Sequence, residues 1–397
     1  MSYVPNRQIL LVLESASNAA NSFLTTFLVL VIASQSTFAL FTLLGTSIRA
    51  TRITYQFLII NQFNILKIRS DLSYRKVLFR FFIYSFVIML SFNLLQFGVL
   101  SFLKTDAKTY IFLLLNMEVV SIFIRAHILK RMKYVLLLTF SLIKMILSVS
   151  LIYLFVDQKS TVGQVYLLIF VSQIVASVPM LATMKISICP ITLIQVKKEF
   201  WSTGRFQLPT GIFSWTKSSF PYFIINFTLG DEKLVIFRTI QLLFAPAALI
   251  FSIFESYIPQ ILAATKNIDE GIKLLFKQLK QALYYVPIII LSYIIILYFL
   301  KSAIVFEQLE LINLEMIILY GAFVLVMPFN AIVQIGLRFI DKAPLIFQIS
   351  FIDVFIMPMC VYILCISVGI LGVIGYLFLS LSILCTCYFL ILRRFTK

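Results

Sequence analysis

Apolar stretches close to the length of a membrane crossing follow one another along nearly the whole chain, and this leaves it few possible folds. They run at roughly 9–33, 36–62, 77–103, 109–128, 132–156, 162–184, 208–229, 233–258, 283–300, 311–337, 343–368 and 370–392. A helix needs about 20 apolar residues to span the hydrocarbon core of a bilayer. Within that core every backbone N–H and C=O must find an internal partner, so only helices and closed barrels cross it. Barrel strands of alternating polarity are absent from the sequence. The expectation is an all-α integral membrane protein with about twelve transmembrane helices. Composition agrees, at 61% hydrophobic and 12% charged, against about 45–50% and about 25% in soluble domains.

The distribution of Lys and Arg predicts the orientation, because cytoplasmic loops collect them. With the N-terminus inside, most of the 33 basic residues fall on the cytoplasmic side, among them Arg7, Lys67, Arg75, Arg125, Arg131, Lys185, Lys197, Lys266, Lys277, Lys342 and Arg394. The outer side keeps Lys104, Lys108, Lys159, Lys233 and Lys301. Both termini are therefore expected in the cytoplasm. The formal net charge of +17 follows from this bias, and nucleic acid is not expected as a partner. The run Ile9–Leu13 is short and interrupted by Glu14 and Asn18, so an uncleaved first span is expected. Cys189, Cys360, Cys365, Cys385 and Cys387 show no disulfide framework and no metal-ligand spacing. No Gly-rich phosphate-binding loop and no nucleophile–base set is visible, so neither a cofactor nor nucleotide hydrolysis is expected.

The longest loop predicts the domain organisation. Residues 185–207, with Pro190, Lys197, Lys198 and Trp201, read as an interfacial cytoplasmic linker between six-helix lobes at 1–184 and 208–397. The stretch Lys266–Gln281 reads as a second basic amphipathic segment on the membrane surface. A shift of 196 residues lays the second lobe on the first. Glu14, Asn18, Asn21 and Thr25 form a stripe at i, i+4, i+7 and i+11, and the shift turns it into Thr210, Ser214, Lys217 and Pro221. The next stripe, Thr42, Gly45, Arg49, Arg52 and Gln56, becomes Arg238, Gln241, Ala245, Ala248 and Ser252, continued by Glu255. The expected repeat is parallel, about an axis along the membrane normal.

Arg49 and Arg52 are three apart and share a helix face. An arginine at mid-bilayer depth costs at least about 2.5 kcal/mol on insertion scales, so it usually faces a cavity or a partner. The other cations within spans are Lys144, Lys217 and Arg238, and the carboxylates are Glu14, Glu118, Glu255 and Asp353. Structural pairing, of Glu14 with Arg49 or Arg52 and of Glu118 with Lys144, is one reading. The other is a cationic cleft between the lobes. There Arg49, Arg52, Lys217 and Arg238 would hold a phosphate or diphosphate in fork geometry. Asn18, Asn21, Gln56, Gln241 and Trp215 would line the path, with Trp215, Tyr222, Asn226 and Gln241 placed for sugar contacts. Glu14, Glu255 and Asp353 are the candidates for binding a coupling proton or sodium ion.

The layout, with two six-span halves, a basic central linker and polar first and second helices in each half, resembles the MOP exporter superfamily. The stretch Trp201–Gln260 resembles its polysaccharide-transporter branch in particular. It has a Trp-x-x-Gly entry, the run WTKSSFPYFIINFTLGDEKLVIFRTIQLLFAPAALIFSIFESYIPQ, a Leu229–Gly230 turn and an Ile258–Pro259 end. The closeness of Arg49 to Arg52 departs from that branch's common pattern. The resemblance implies a MATE-like fold in a bacterial inner membrane. It further implies a flippase that turns a polyprenyl-diphosphate-linked oligosaccharide, an O-antigen or capsule repeat unit, from the cytoplasmic to the periplasmic leaflet. Membrane lipids and other glycan-assembly proteins are the implied partners. A cation-coupled multidrug antiporter of the same superfamily is the alternative within the fold. A membrane polysaccharide polymerase or glycosyltransferase is the alternative outside it, disfavoured by the short outer loops.

Overall fold

The computed structural model describes residues 4–55, 71–100, 107–131, 133–182, 184, 202–263, 265, 267–303, 311–340 and 342–395. Among them are twelve helices and no strand. In order they are α1 (Val4–Ile32), α2 (Gln35–Tyr55), α3 (Asp71–Leu100), α4 (Lys108–Lys130), α5 (Tyr134–Phe155) and α6 (Val162–Ala182), then α7 (Ser202–Leu229), α8 (Asp231–Ala263), α9 (Ile268–Ala303), α10 (Leu314–Phe339), α11 (Ala343–Val368) and α12 (Ile370–Phe395). Eight of them are long and apolar enough to cross a membrane by length and composition. Large apolar side chains stand exposed in quantity, Leu95, Tyr153 and Leu154 early in the chain and Phe355, Met359 and Ile383 late in it, as a hydrocarbon surround permits.

The helices join through tight turns. Gly230 closes α7 with its N–H on the Asn226 carbonyl at 3.1 Å and has φ 83°, which opens the turn into α8. Gly369 does the same between α11 and α12, with its N–H on the Cys365 carbonyl at 3.0 Å and φ 74°. At a positive φ a Cβ is strained, so glycine is the residue that permits such short connections. The segment Lys266–Gln281, read as a separate surface helix, is instead largely the first part of α9. This continuous helix of 36 residues is about 54 Å long at 1.5 Å per residue. Its apolar face docks by burying Leu275 and Leu279, and its Phe276 meets Phe389 edge-on. Of the linker at 185–207, residues 185–201 lie outside the described residues, and α7 begins at Ser202.

Two compact units are present, Met1–Ser219 and Phe220–Lys397, so the division falls within α7. In the first unit α1 packs on α5, and α4 packs on α2, α3 and α6, with α5 also on α6. α4 is the central helix because all its faces are used. Val119, Phe123 and Ala126 join Leu78, Phe81, Met89 and Tyr55 in one core, and Phe81 stacks on Phe123 with centroids 5.4 Å apart. Ile124 and Ile128 join Leu137, Phe140, Ala176 and Met180 in another. The remaining face carries Glu118, Ser121, Ile122 and Arg125. The second unit repeats this pattern six helices later. There α10 packs on α8, α9 and α12, and α11 packs on α12. Gly321 and Gly336 let α9 and α12 approach α10. A Cβ at Gly321 would lie 2.6 Å from Ile294, and one at Gly336 would lie 2.9 Å from Leu275 and 3.1 Å from Leu392. Small residues at helix contacts serve this purpose in membrane bundles.

Candidate functional site

Five helices of the first unit turn polar stripes toward one cavity of about 520 Å³. α1 contributes Asn18, Asn21, Ser22 and Thr25, which lie three or four residues apart and so on one face. α2 contributes Thr42, Gly45, Arg49 and Arg52. α4 adds Glu118, Ser121 and Arg125, α5 adds Lys144 and Ser148, and α6 adds Tyr166, Ser172 and Gln173. Tyr166 fixes α6 against α2, stacking on Phe41 at 5.2 Å and donating its hydroxyl to the Phe41 carbonyl at 2.8 Å.

Two carboxylates organise this wall. Glu14 is fully buried. Arg125 Nε and Nη2 donate to its Oε1 and Oε2 at 2.8 and 2.9 Å, a bidentate fork. Ser141 Oγ donates to Glu14 Oε1 at 3.3 Å, and the Asn18 amide donates both to Glu14 and, at 3.1 Å, to Ser141 Oγ. Glu118, 2% exposed, divides its two oxygens between different partners. Oε1 accepts from Arg52, with Nε at 2.9 Å and Nη2 also in contact. Oε2 accepts from Gln173 Nε2 at 2.7 Å and faces Lys144 Nζ at 3.7 Å. Lys144 in turn donates to Ser121 Oγ at 3.4 Å. Arg49 Nη1 donates to the Ser218 carbonyl at 3.4 Å. On the α1 side, Asn21 accepts from Thr25 at 3.3 Å and from Ser148.

Several sequence-based expectations need correction. Glu14 pairs with Arg125 and with neither Arg49 nor Arg52. Arg125 was read as a cytoplasmic cation at a span end, but it lines the cavity. Its guanidinium has no need to seek water, because α1 presents a buried carboxylate within reach. The expected Glu118–Lys144 pair is present, joined by Arg52. Of the charged groups in this network, Glu14, Arg49 and Arg52 come from α1 and α2, and Glu118, Arg125 and Lys144 come from α4 and α5. Ser141, Ser148, Tyr166 and Gln173 were missed altogether. The i, i+3 and i+7 spacing of Glu118, Ser121 and Arg125 puts them on one face of α4, a signal present in the sequence.

The remaining predicted residues lie as follows. Trp215, on the part of α7 that belongs to the first unit, donates its indole N–H to the Thr46 carbonyl at 2.9 Å, which ties α7 to α2. Lys217 is half-buried on the same helix. In the second unit, Arg238 Nη1 donates to Gln241 Oε1 at 2.9 Å and to the Tyr222 hydroxyl at 3.1 Å, with its guanidinium 5.8 Å from the Tyr222 ring centroid. The Tyr222 hydroxyl also donates to Gln241. Asp353 accepts from Ser380 Oγ at 2.9 Å. Glu255 lies on α8, but its side chain is outside the described residues, as is the whole of Gln56. Among the described residues no cluster of His, Cys, Asp and Glu could hold a metal ion.

Among the described residues, the wall holds Arg49, Arg52, Arg125 and Lys144 together with the carboxylates of Glu118 and, behind Arg125, Glu14. In a site partly shielded from water this excess acts strongly on any entering ion. Two buried polar atoms in the lining, Thr42 Oγ1 and Gln173 Oε1, have no hydrogen-bond partner. Such atoms are costly to leave unmet.

No protein-family model and no curated protein matches the chain. Solved structures do match in fold. An outward-facing multidrug resistance MATE family transporter of the MOP superfamily aligns with TM-score 0.67 at 12% identity, over 98% of this chain and 94% of that one. An inward-facing structure described in the same terms aligns with TM-score 0.63 at 13% identity, over 100% and 95%. A MOP superfamily transporter from Pyrococcus furiosus Vc1 (DSM3638), whose binding pocket is described as of reverse polarity and suggesting a different function, gives TM-score 0.63 at 13% identity over 98% and 94%. The chain has the fold of the multi-pass MATE and other MOP superfamily transporters.

Proposed function

We propose that the chain is a flippase that carries a polyprenyl-diphosphate-linked oligosaccharide, such as an O-antigen or capsule repeat unit, from the cytoplasmic to the periplasmic leaflet of a bacterial inner membrane by alternating access. The observation that supports this reading is the charge of the first unit's cavity, where among the described residues four cations meet two carboxylates. A diphosphate is a compact anion with oxygens spaced for guanidinium forks. Arg49 and Arg52 are its proposed ligands. Asn18, Asn21, Ser22 and the unpartnered Thr42 hydroxyl offer hydrogen bonds to the sugar next to it.

The same fold serves a cation-coupled multidrug antiporter equally well, and two of the solved structures above are described as multidrug transporters. Buried Glu14 and Glu118 give that second reading its own support. The positive excess supports the first reading, because a lipophilic cation entering this cavity would meet it. The fold does accommodate changed pocket charge, as the reverse-polarity pocket of the Pyrococcus protein illustrates.

Complementation of a strain lacking its repeat-unit flippase is the direct test. The expected result is restored surface glycan with the wild-type chain and none with the Arg49→Ala, Arg52→Ala double variant at equal membrane abundance. Full export by the double variant, or tolerance to cationic drugs without any export, would contradict the proposal.

A further inference from the structure

Glu118 is shared by two cations that differ sharply in access. The Arg52 side chain is 54% exposed, and that of Lys144 is 11% exposed. They also take different oxygens. Arg52 holds Oε1, while Lys144 and Gln173 hold Oε2. A carboxylate as buried as Glu118 cannot be left without a counter-ion except at large cost. If Arg52 turned away toward an anion in the cavity, Lys144 and Gln173 would still partner Glu118 through the other oxygen. If Lys144 were absent, Arg52 would be the sole cation on Glu118 and would be held there.

We infer that Glu118 and Lys144 are positioning residues that make Arg52 exchangeable. Glu118 is a resident stand-in for the anion's phosphate, Arg52 passes from it to the incoming anion, and Lys144 is the fixed counter-ion that lets it leave. No covalent step is involved; one charge-assisted hydrogen-bond pair replaces another. The unpartnered Thr42 Oγ1 in the same wall, a hydroxyl able to donate to an anion, is the second sign that a ligand belongs there. The exchange also gives a release mechanism. The anion must compete with Glu118, so the site binds without trapping. This inference rests on the cavity being an anion site, and it does not depend on the lipid or the sugar.

The test is a double-mutant cycle on the full-length chain in lipid nanodiscs, with inorganic pyrophosphate as the probe and affinity read by calorimetry. Coupling between contacting charges typically changes affinity by roughly threefold to a hundredfold. Glu118→Gln, which keeps the shape and removes the competitor, is expected to tighten binding by at least about threefold. Lys144→Met is expected to weaken it by about tenfold, because Arg52 is then locked onto Glu118. The double variant is expected to recover to the wild-type affinity or better, because no carboxylate remains to hold Arg52. If Lys144 instead touched the anion directly, the double variant would stay weaker than Glu118→Gln by the full Lys144→Met factor, and that result would overturn the exchange. Unchanged or weaker binding in Glu118→Gln alone would overturn it as well, and so would a wild-type chain that binds no pyrophosphate. The expected cycle found in a chain that fails to restore glycan export would leave the exchange standing and contradict the flippase reading.

Discussion

The two units share a packing plan and differ in what fills it. Aligned on the first residues of their helices, Lys108 of α4 and Leu314 of α10, Glu118 corresponds to Val324 and Arg125 to Ala331. Aligned on Gln35 and Asp231, Arg49 and Arg52 of α2 become Ala245 and Ala248 of α8. Lys144 of α5 becomes Asp353 of α11 on the alignment of Tyr134 with Ala343, and Ser172 becomes Ser380, the partner of Asp353. The core of α10 is instead aromatic and aliphatic. Phe244 packs on Tyr293 and Tyr320 at 5.8 and 5.4 Å, and Val324 is 1% exposed. Arg238 leans on neutral groups, Tyr222 and Gln241. The two units thus share their helix contacts, which set the fold, while among the described residues the linked cation–carboxylate network lies in the first unit. An asymmetric site is what a ligand with one charged end requires.

This comparison can be broken by mutation. The largest stability effect is expected at Arg125→Leu, which strands the buried Glu14 carboxylate. Breaking a buried pair from one side costs about 3–5 kcal/mol, readable as a lowered melting temperature in detergent. A like truncation in the second unit, Arg238→Leu at a position not equivalent to Arg125, removes a cation whose partners are neutral. Its cost is expected at about 1 kcal/mol, the scale of a partly exposed hydrogen bond. Equal costs at the two positions would remove the contrast between the units. Between these two lies Gly336→Leu, where the added side chain meets Leu275 and Leu392. Overpacking of this kind costs about 1–3 kcal/mol, and Gly336→Ala should be the milder. An effect as small as that of Arg238→Leu is expected from Trp215→Phe, which loses the indole hydrogen bond to Thr46 for about 0.5–1.5 kcal/mol and should leave anion affinity unchanged. A strong loss of binding there would assign Trp215 to the ligand after all.

Much of the fold was legible in the sequence because span length and backbone satisfaction leave few alternatives. The boundary at Gly230 was readable, since a glycine between apolar runs marks a turn. The join of Lys266–Gln281 to the next span was not, because a basic amphipathic pattern reads the same on the membrane surface and in the first turns of a long helix. At the site, the α1 and α2 stripes were legible from spacing alone. Their partners were not. A stripe says which face is polar, but not which other helix faces it. Arg125 shows the difficulty. Near the end of a span, a cation bound for water and one bound for a carboxylate look alike, and only the buried Glu14 opposite decides. Glu118 was visible, but its division between an exposed and a buried cation depends on three helices meeting at one point.

The most direct test of the central claim is which sign of ion the first unit's cavity selects. Binding of a polyprenyl diphosphate and of a lipophilic cation such as tetraphenylphosphonium should be measured side by side on the wild-type chain and on Arg49→Ala, Arg52→Ala. The expected result is that the diphosphate binds, the cation does not, and the double variant loses diphosphate affinity by at least about tenfold, as expected on losing two charge-assisted contacts. Binding of the cation in preference to the diphosphate, or equal diphosphate affinity in wild type and variant, would contradict it.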